Sequence, residues 1–318
     1  MVCDHHASDF RSDNTQRWVY TQAPDLPLRR GPIPWQIISS TTVGAESEMT
    51  DQIPKSQKLP KKPLVEAIFE LRWKLQQPGQ GNVIDPGFQV LLGRFYDNVS
   101  SKNFCEMENL PISVVPEVMT PYVVRHRFRK TKEGWPLIQL GTGMLSVNDT
   151  ESYDWETFRP MLRQAVEALL DTYPVKIAPL VLGQATLRYI DAIPLNTFGG
   201  GQGVLEFLED HLHTNISIDP LLFDDPKIAM VPEALNLRLN FRLDKPRGLG
   251  VLSFSTGMKE NVPSIIWENM VISREPDVPK TLDEFETWFV EAHAVTDRWF
   301  FTLCRGELFT SFGGKHEN

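Results

Sequence analysis

The chain has 318 residues, of which 41% are hydrophobic, 10% aromatic and 23% charged, a mixture typical of a globular protein with a substantial core. Its formal charge of −9 argues against indiscriminate binding to nucleic acid or acidic membranes, although it allows a local basic patch. Its apolar runs are shorter than the roughly 20 residues of a membrane-spanning helix, and the first residues lack the apolar core of a secretory signal. Three widely spaced cysteines (Cys3, Cys105, Cys304) exclude a disulfide framework and a zinc site of paired cysteines, so we expect a cytoplasmic protein.

Residues 1–60 show no sustained helical or alternating pattern and are rich in proline and polar residues. This composition predicts a largely disordered N-terminal extension. Met49 opens the run that leads into the first clear element, and it is a candidate for the true translation start. The alternative is an ordered arm that docks through its apolar residues. These are Trp18, Tyr20, Trp35, Ile37 and Ile38.

Strict alternation over residues 64–75 predicts a strand with one buried face. One side carries Val65, Ala67, Phe69, Leu71, Trp73 and Leu75, and the other carries Glu66, Glu70, Arg72 and Lys74. A helix is predicted after Asp85-Pro86, followed by antiparallel strands over 122–130 and 137–147 and by a long helix whose apolar stripe runs from Phe158 to Tyr173.

The second part of the chain repeats this order of predicted elements. A strand over 180–193 is followed by a short helix from Val204 to Leu212, and a hairpin joins strands 235–243 and 249–254. An extra strand over 265–272 precedes the final long helix, whose start is fixed by a capping box of Thr281 and Glu284.

Two sequence offsets relate these parts to each other. A shift of 116 places Leu64, Leu71 and Arg72 on their counterparts 180, 187 and 188, and a shift of 114 places residues 137–144 on 251–258 with a shared Thr-Gly-Met. We therefore predict an α+β protein of two duplicated halves, 61–176 and 177–310, with helices on one face of an antiparallel sheet and a flexible tail over 311–318. The order is similar to TATA-binding-protein or helix-grip folds at the level of topology. The alternative is an unduplicated α+β protein with chance matches.

The segment 63–73, PLVEAIFELRW, resembles the opening signature of an uncharacterised, sporadically distributed family of bacterial and archaeal proteins. Further matching segments are 137–148, Tyr153 and Trp155, the run 187–191 (LRYID) and His293. The resemblance covers residues 60 to about 310, and it implies Asn where this chain has Asp191. The resemblance implies no particular activity for this chain. A sporadic distribution implies mobile or defence-associated gene neighbourhoods and favours a regulatory or interaction role.

The polar side of the predicted sheet is the main candidate binding surface, because arginines recur on it. They are Arg72, Arg125, Arg127, Arg129, Arg188, Arg238 and Arg242. Arginines bind phosphates and carboxylates through charge-assisted, often bidentate hydrogen bonds. The alternative is a solvated lattice in which glutamates such as Glu66 and Glu70 neutralise these arginines across the strands, with little energetic value.

Candidate catalytic residues are few. His293 lies four residues before Asp297 on the last helix, where a carboxylate could orient the imidazole, and Glu66 shares the arginine face. The glycine run 199–203 lacks the Gly-Lys-Ser/Thr ending of a phosphate loop, and the sequence predicts no cofactor or metal. Tyr153 and Trp155 precede a long helix, where they either line a pocket or anchor the helix on the sheet.

These patterns favour a non-catalytic cytoplasmic binding or regulatory protein that engages a protein or an anionic ligand through the basic sheet face or the groove between its halves. The alternatives are an enzyme acting on a phosphate-bearing substrate through His293 or Glu66, and a nucleic-acid-binding protein. A deep concavity at His293 or Glu66 that includes the arginines would favour an enzyme, and a broad, shallow surface would favour an interaction protein.

Overall fold

A computed structural model describes residues 53–79, 82–225, 227–228 and 232–315 of the chain. The ordered-arm alternative and the predicted extension up to residue 52 therefore lie outside the described residues. No helix in the described part is both long and apolar enough to cross a membrane.

The described residues form an α+β protein built on a large antiparallel sheet. The strands are β1 (Leu64–Trp73), β2 (Gln76–Gly79), β3 (Asn82–Ile84), β4 (Glu106–Asn109), β5 (Val124–Arg129), β6 (Leu137–Gly141), β7 (Met144–Asp149), β8 (Leu182–Pro194), β9 (Asn236–Asp244), β10 (Arg247–Lys259) and β11 (Val262–Arg274). The α-helices are α1 (Phe88–Ser100), α2 (Trp155–Thr172), α3 (Val204–Leu212), α4 (Leu282–Leu303) and α5 (Glu307–Ser311).

Nine strands pair in the order β4-β5-β6-β7-β1-β8-β11-β10-β9, and β2 and β3 form a separate hairpin. The first strands of the two predicted halves, β1 and β8, pair antiparallel at the centre. The other strands of this sheet from residues 61–176 lie on one side of this pair, and those from residues 177–310 lie on the other. The seam between the two halves therefore runs along β1 and β8.

The alternation of β1 produces the expected buried face. Ala67, Phe69, Leu71 and Trp73 are at most 1% exposed, and the Phe69 ring contacts the rings of Phe285, Trp288 and Phe289 on α4. We call the side of the sheet covered by α1, α2 and α4 the helix face and the other side the open face. The prediction for Val65 is wrong, because an irregularity between Leu64 and Glu66 breaks the register with β8 and leaves Val65 36% exposed.

The predicted helices form where their apolar spacing placed them, and the predicted capping box of α4 is confirmed. Asp154 accepts a hydrogen bond from the Glu156 N–H at the start of α2, and Thr281 and Glu284 form a capping box at the start of α4.

The predicted strand over 137–147 is instead two strands, β6 and β7, joined by a turn at Thr142-Gly143. Gly143 has a φ of +80°, which favours glycine, and a Cβ there would lie 2.7 Å from the Tyr122 ring. The matching Thr256-Gly257 lies inside β10, paired with β11. The shared Thr-Gly-Met therefore occupies a turn in one half and a strand in the other. Strand β11 pairs with both β8 and β10, so it belongs to the middle of its half of the sheet.

The ends of the predicted extension and tail make specific contacts. Leu59 is 6% exposed and packs in the core near Phe312, which is 7% exposed. The backbone N–H of Lys61 donates to the Phe312 carbonyl, and the Gln57 side chain bonds to the backbone of Lys315. Within the described residues, the chain therefore packs from about residue 56, earlier than the predicted boundary of 60, and up to residue 315.

Candidate functional site

A cavity of about 330 Å³ lies on the helix face at the seam between the two halves. Its wall comes from the segment before β1, the start of α2, strands β8 and β11, and helix α4. The polar and aromatic residues that line it include Ser56, Lys58, Lys62, Tyr153, Asp154, Trp155, Tyr189, Asp191, Asn269, His293, Thr296, Asp297 and Phe300. The volume falls in the range of small-molecule sites.

Strands β8 and β11 supply the floor of the cavity. Tyr189 and Asp191 are two residues apart on β8 and therefore share its helix face, and Asn269 is the register partner of Tyr189 on β11. The Asn269 side-chain oxygen accepts a hydrogen bond of 3.1 Å from the Trp267 indole. The break in register on β1 falls opposite Asp191, and it brings Leu64 into the cavity wall.

Helices α2 and α4 supply the aromatic walls. The Trp155 indole stacks on the His293 imidazole, with ring centroids 3.9 Å apart and planes 17° from parallel. The Tyr153 hydroxyl donates to Tyr189 Oη at 2.9 Å, and Tyr189 Oη lies 3.2 Å from His293 Nδ1. Tyr153 also packs edge-on against Phe158, so it both anchors α2 and lines the cavity.

Asp191 is the most unusual group in this wall. It is 1% exposed, and its Oδ2 atom has no hydrogen-bond partner among the described residues. Burial raises its pKa to about 7, and the positive charge of Lys259 opposes this only in part. An unpaired buried carboxyl group destabilises a folded protein, because neither water nor a partner compensates for its desolvation.

The other titratable groups of the cavity are also affected by burial. Burial lowers the pKa of His293 to about 4, so the imidazole is neutral at pH 7. Burial raises the pKa of Asp297, although the carboxylate accepts a 2.9 Å hydrogen bond from Ser56 Oγ. His293 therefore pairs with Tyr189, while the predicted partner Asp297 is bound by the segment before β1.

Two lysines at the rim are engaged by neighbouring protein groups. Lys58 forms an ion pair with Asp154, and Lys62 donates to the backbone carbonyl of Tyr153. Within the described residues, no group of three or more His, Cys, Asp or Glu side chains could hold a metal ion.

The predicted arginine surface on the open face is largely paired with glutamates. Arg188 Nη2 lies 2.7 Å from Glu268 Oε1, and Glu108 contacts both Arg127 and Arg129 at 3.6–3.7 Å. Arg72 Nε lies 2.6 Å from Glu70 Oε1, an ion pair whose angle falls outside the range of a hydrogen bond. These contacts agree with the alternative of a charge lattice.

Arg125 departs from the prediction that it belongs to the exposed surface. Its side chain is 4% exposed, and its guanidinium donates to Thr120 Oγ1 and to the carbonyls of Ser113 and Val115. The register between β5 and β6 shifts at this residue, which breaks the alternation that placed it beside Arg127 and Arg129. Arg125 thus holds the two short 3-10 helices (Pro111–Val114 and Glu117–Met119) against the sheet.

Arg238 and Arg242 remain exposed on β9, which ends the sheet in the described part of the chain. Their register partners are Ser253 and Leu249 on β10, and no ion pair among the described residues involves either arginine. Strand β9 is separated from β5 by seven inter-strand spacings, or about 33 Å, so the arginines of these two strands do not form one cluster.

Glu66 and His293 lie on opposite faces of the sheet. Glu66 accepts a 2.7 Å hydrogen bond from Asn148 on the open face, and burial raises its pKa. His293 lies in the cavity on the helix face, away from every predicted arginine. The sheet therefore separates the residues proposed for the enzymatic alternative.

The sequence prediction missed Asp191 as a site residue. The signal that could have found it is its position: the alternation of residues 180–193 places a carboxyl group on the apolar side of a central strand. Buried charges on such a face are rare unless they are paired.

No protein-family model matches the chain, and no curated protein shows significant similarity to it.

Proposed function

We propose that this protein acts by binding a small molecule in the cavity between its halves, in a non-catalytic, regulatory role. The observation that carries the proposal is the cavity itself, which combines aromatic walls with a buried Asp191 oxygen, Oδ2, that has no hydrogen-bond partner among the described residues. Mostly apolar pockets of this size with a few polar groups are the usual form of ligand sites. The separation of Glu66 and the arginines from His293 supports binding over the proposed catalysis.

A cavity-filling variant tests this proposal. Thr296 is 2% exposed and lines the cavity from α4, so Thr296→Phe fills part of it, whereas Thr287→Phe adds the same ring on the exposed side of α4. In a thermal-shift screen of small molecules, binders should raise the Tm of wild type and of Thr287→Phe by about 2–4 °C per kcal/mol of binding stabilisation. They should leave Thr296→Phe unchanged, provided that circular dichroism shows it folded. Equal shifts in a folded Thr296→Phe would contradict binding in the cavity.

A second candidate function is the binding of an acidic protein segment at β9. Its support is the exposure of Arg238 and Arg242, which lack an acidic partner among the described residues, on a strand that ends the sheet. An extended segment can add to such an edge through backbone hydrogen bonds while its carboxylates pair with the arginines.

Fluorescence anisotropy with a labelled oligoglutamate peptide tests this candidate. Arg238→Glu/Arg242→Glu should weaken binding by about tenfold or more, whereas Lys132→Glu/Lys176→Glu, which makes the same charge change at exposed sites, should not. Tighter binding of a single-stranded oligonucleotide with a steep loss in salt would favour the nucleic-acid alternative instead.

We further propose that the chain belongs to the bacterial and archaeal family that it resembles, with a mobile or defence-associated context, and that it is cytoplasmic. The segments that carry the resemblance contribute Tyr153, Trp155, Tyr189, Asp191 and His293 to the cavity wall. The four residues other than Asp191, where the resemblance implies Asn, support a shared cavity. We also infer that the halves arose by duplication in a topology like that of TATA-binding protein. The support is their common element order around the central β1–β8 pair; the different placement of Thr-Gly-Met counts against a close repeat.

A further inference from the structure

The buried aspartates of this protein differ in how their oxygens are satisfied. Asp85 is 5% exposed and accepts hydrogen bonds from the Trp73 indole, the Tyr173 hydroxyl and the Gly87 N–H. Asp149 is 2% exposed and accepts from the backbone N–H groups of Glu151 and Ser152. Asp191 is at least as buried as either, yet its Oδ2 has no partner among the described residues. The chain thus pairs the acids that shape its fold and leaves unpaired the one that lines the cavity.

The charges around the cavity also select the sign of a ligand. Asp191 and Asp297 both line it, and His293 is neutral because burial lowers its pKa to about 4. The rim lysines are held by Asp154 and by the Tyr153 carbonyl. A carboxylate or phosphate entering the interior would therefore meet two carboxyl groups. A cation would find in Asp191 an oxygen that has no donor among the described residues and whose charge Lys259 offsets only in part.

The aromatic walls can contact both the ammonium group and the apolar part of such a cation. Trp155, Tyr153, Tyr189 and Phe300 present aromatic surface, and aromatic faces attract ammonium groups through their quadrupole. A volume of about 330 Å³ accommodates an amine attached to an aromatic or similarly apolar group.

We propose that the cavity binds a small organic cation, a protonated amine on an apolar or aromatic body, with its ammonium group donating to the carboxylate of Asp191. This inference rests on the proposed function and names its ligand class. The ammonium supplies the donor that Asp191 lacks, and the aromatic walls replace the water that the amine loses.

Three probes that differ mainly in charge test the assignment: phenethylamine, 2-phenylethanol and phenylacetate. Calorimetric titration of the full chain at pH 8 keeps Asp191 ionised and phenethylamine protonated. We expect phenethylamine to bind at least about tenfold more tightly than the other two, as a charge-assisted hydrogen bond predicts. Asp191→Asn should remove this preference and change the affinity for 2-phenylethanol by less than about threefold. Glu151→Gln, an equal charge change on an exposed residue outside the cavity, should retain the preference.

The outcomes separate the ligand class from the proposed function. Tighter binding of phenylacetate or 2-phenylethanol, lost in the cavity-filling Thr296→Phe, would overturn the cation assignment and support the binding site. Equal binding of phenethylamine to wild type and Asp191→Asn would also overturn the assignment. Binding of none of the three probes would overturn both.

Discussion

The two faces of the central sheet differ in whether their charged groups have protein partners. On the open face, glutamates and arginines contact one another, between strands in the pair Arg188–Glu268 and within β1 in the pair Arg72–Glu70. On the helix face, Asp191 and His293 lie among aromatic rings, and Asp191 has an oxygen without a partner among the described residues. The open face carries more charge, but the helix face carries a buried carboxyl oxygen that accepts no hydrogen bond from the described residues. A count of charged residues is therefore a poor guide to where a ligand binds.

The two faces should differ most in how much their apolar side chains contribute to the free energy of unfolding. Phe69 and Ile68 are neighbours on β1, with Phe69 fully buried against α4 and Ile68 half-buried on the open face. Phe69→Ala should reduce the free energy of unfolding by about 3–5 kcal/mol, because it removes aromatic contacts and leaves a cavity. Ile68→Ala should cost about 1–2 kcal/mol. Urea unfolding followed by circular dichroism measures both, and equal losses would show that the open face is as tightly packed as the helix face.

Asp191 should make stability depend on pH in a predictable direction. Its pKa rises from an ordinary 3.8 to about 7 on folding, so its contribution to stability is present below about pH 4 and is lost as the pH rises through 7. As the pH rises from 4 to 8, the free energy of unfolding of Asp191→Asn should therefore increase by up to roughly 4 kcal/mol relative to that of wild type. Urea unfolding of both proteins at each pH measures this difference. A constant difference would mean that Asp191 has an ordinary pKa.

His293 should show the opposite sign in the same cavity. Its pKa falls from 6.5 to about 4, so its contribution is present above pH 6.5 and is lost as the pH falls through 4. The comparison variant His293→Phe retains a ring against Trp155. Between pH 7 and 4, the free energy of unfolding of wild type should fall by about 2 kcal/mol relative to that of His293→Phe, a figure that allows for the partial exposure of the imidazole. A parallel pH profile for the two proteins would contradict burial of a neutral imidazole.

Much of the fold could be predicted because the spacing of apolar residues reports directly on burial. Alternation placed Ala67, Phe69 and Leu71 on the buried side of β1, and helical spacing placed α1 and α4. The errors occur where register breaks: Val65 and Arg125 both lie at irregularities in strand pairing, and their burial differs from what alternation predicts. Such breaks depend on the partner strand, which the local sequence does not specify.

The site could be predicted only in fragments. The sequence identifies Tyr153, Trp155 and His293 individually as candidates, and a pocket at Tyr153 and Trp155 is one of the two interpretations that it allows. Their convergence with Asp191 depends on α2 and α4 meeting over the β1–β8 seam, a long-range arrangement. The arginines were found because strand alternation is local, but their glutamate partners on other strands were only an alternative.

The smallest expected effect concerns the open face. The side chains of Arg72 and Glu70 are 32% and 22% exposed, so their ion pair is partly screened by solvent. A double-mutant cycle with Arg72→Gln and Glu70→Gln should give a coupling free energy of about 0.2–1 kcal/mol, and 1 M NaCl should reduce it further. A coupling well above this range that persists in salt would mean that the pair is held in a site from which water is excluded. The open face would then resemble the helix face, and its arginines would be candidates for ligand binding in the same way as the cavity.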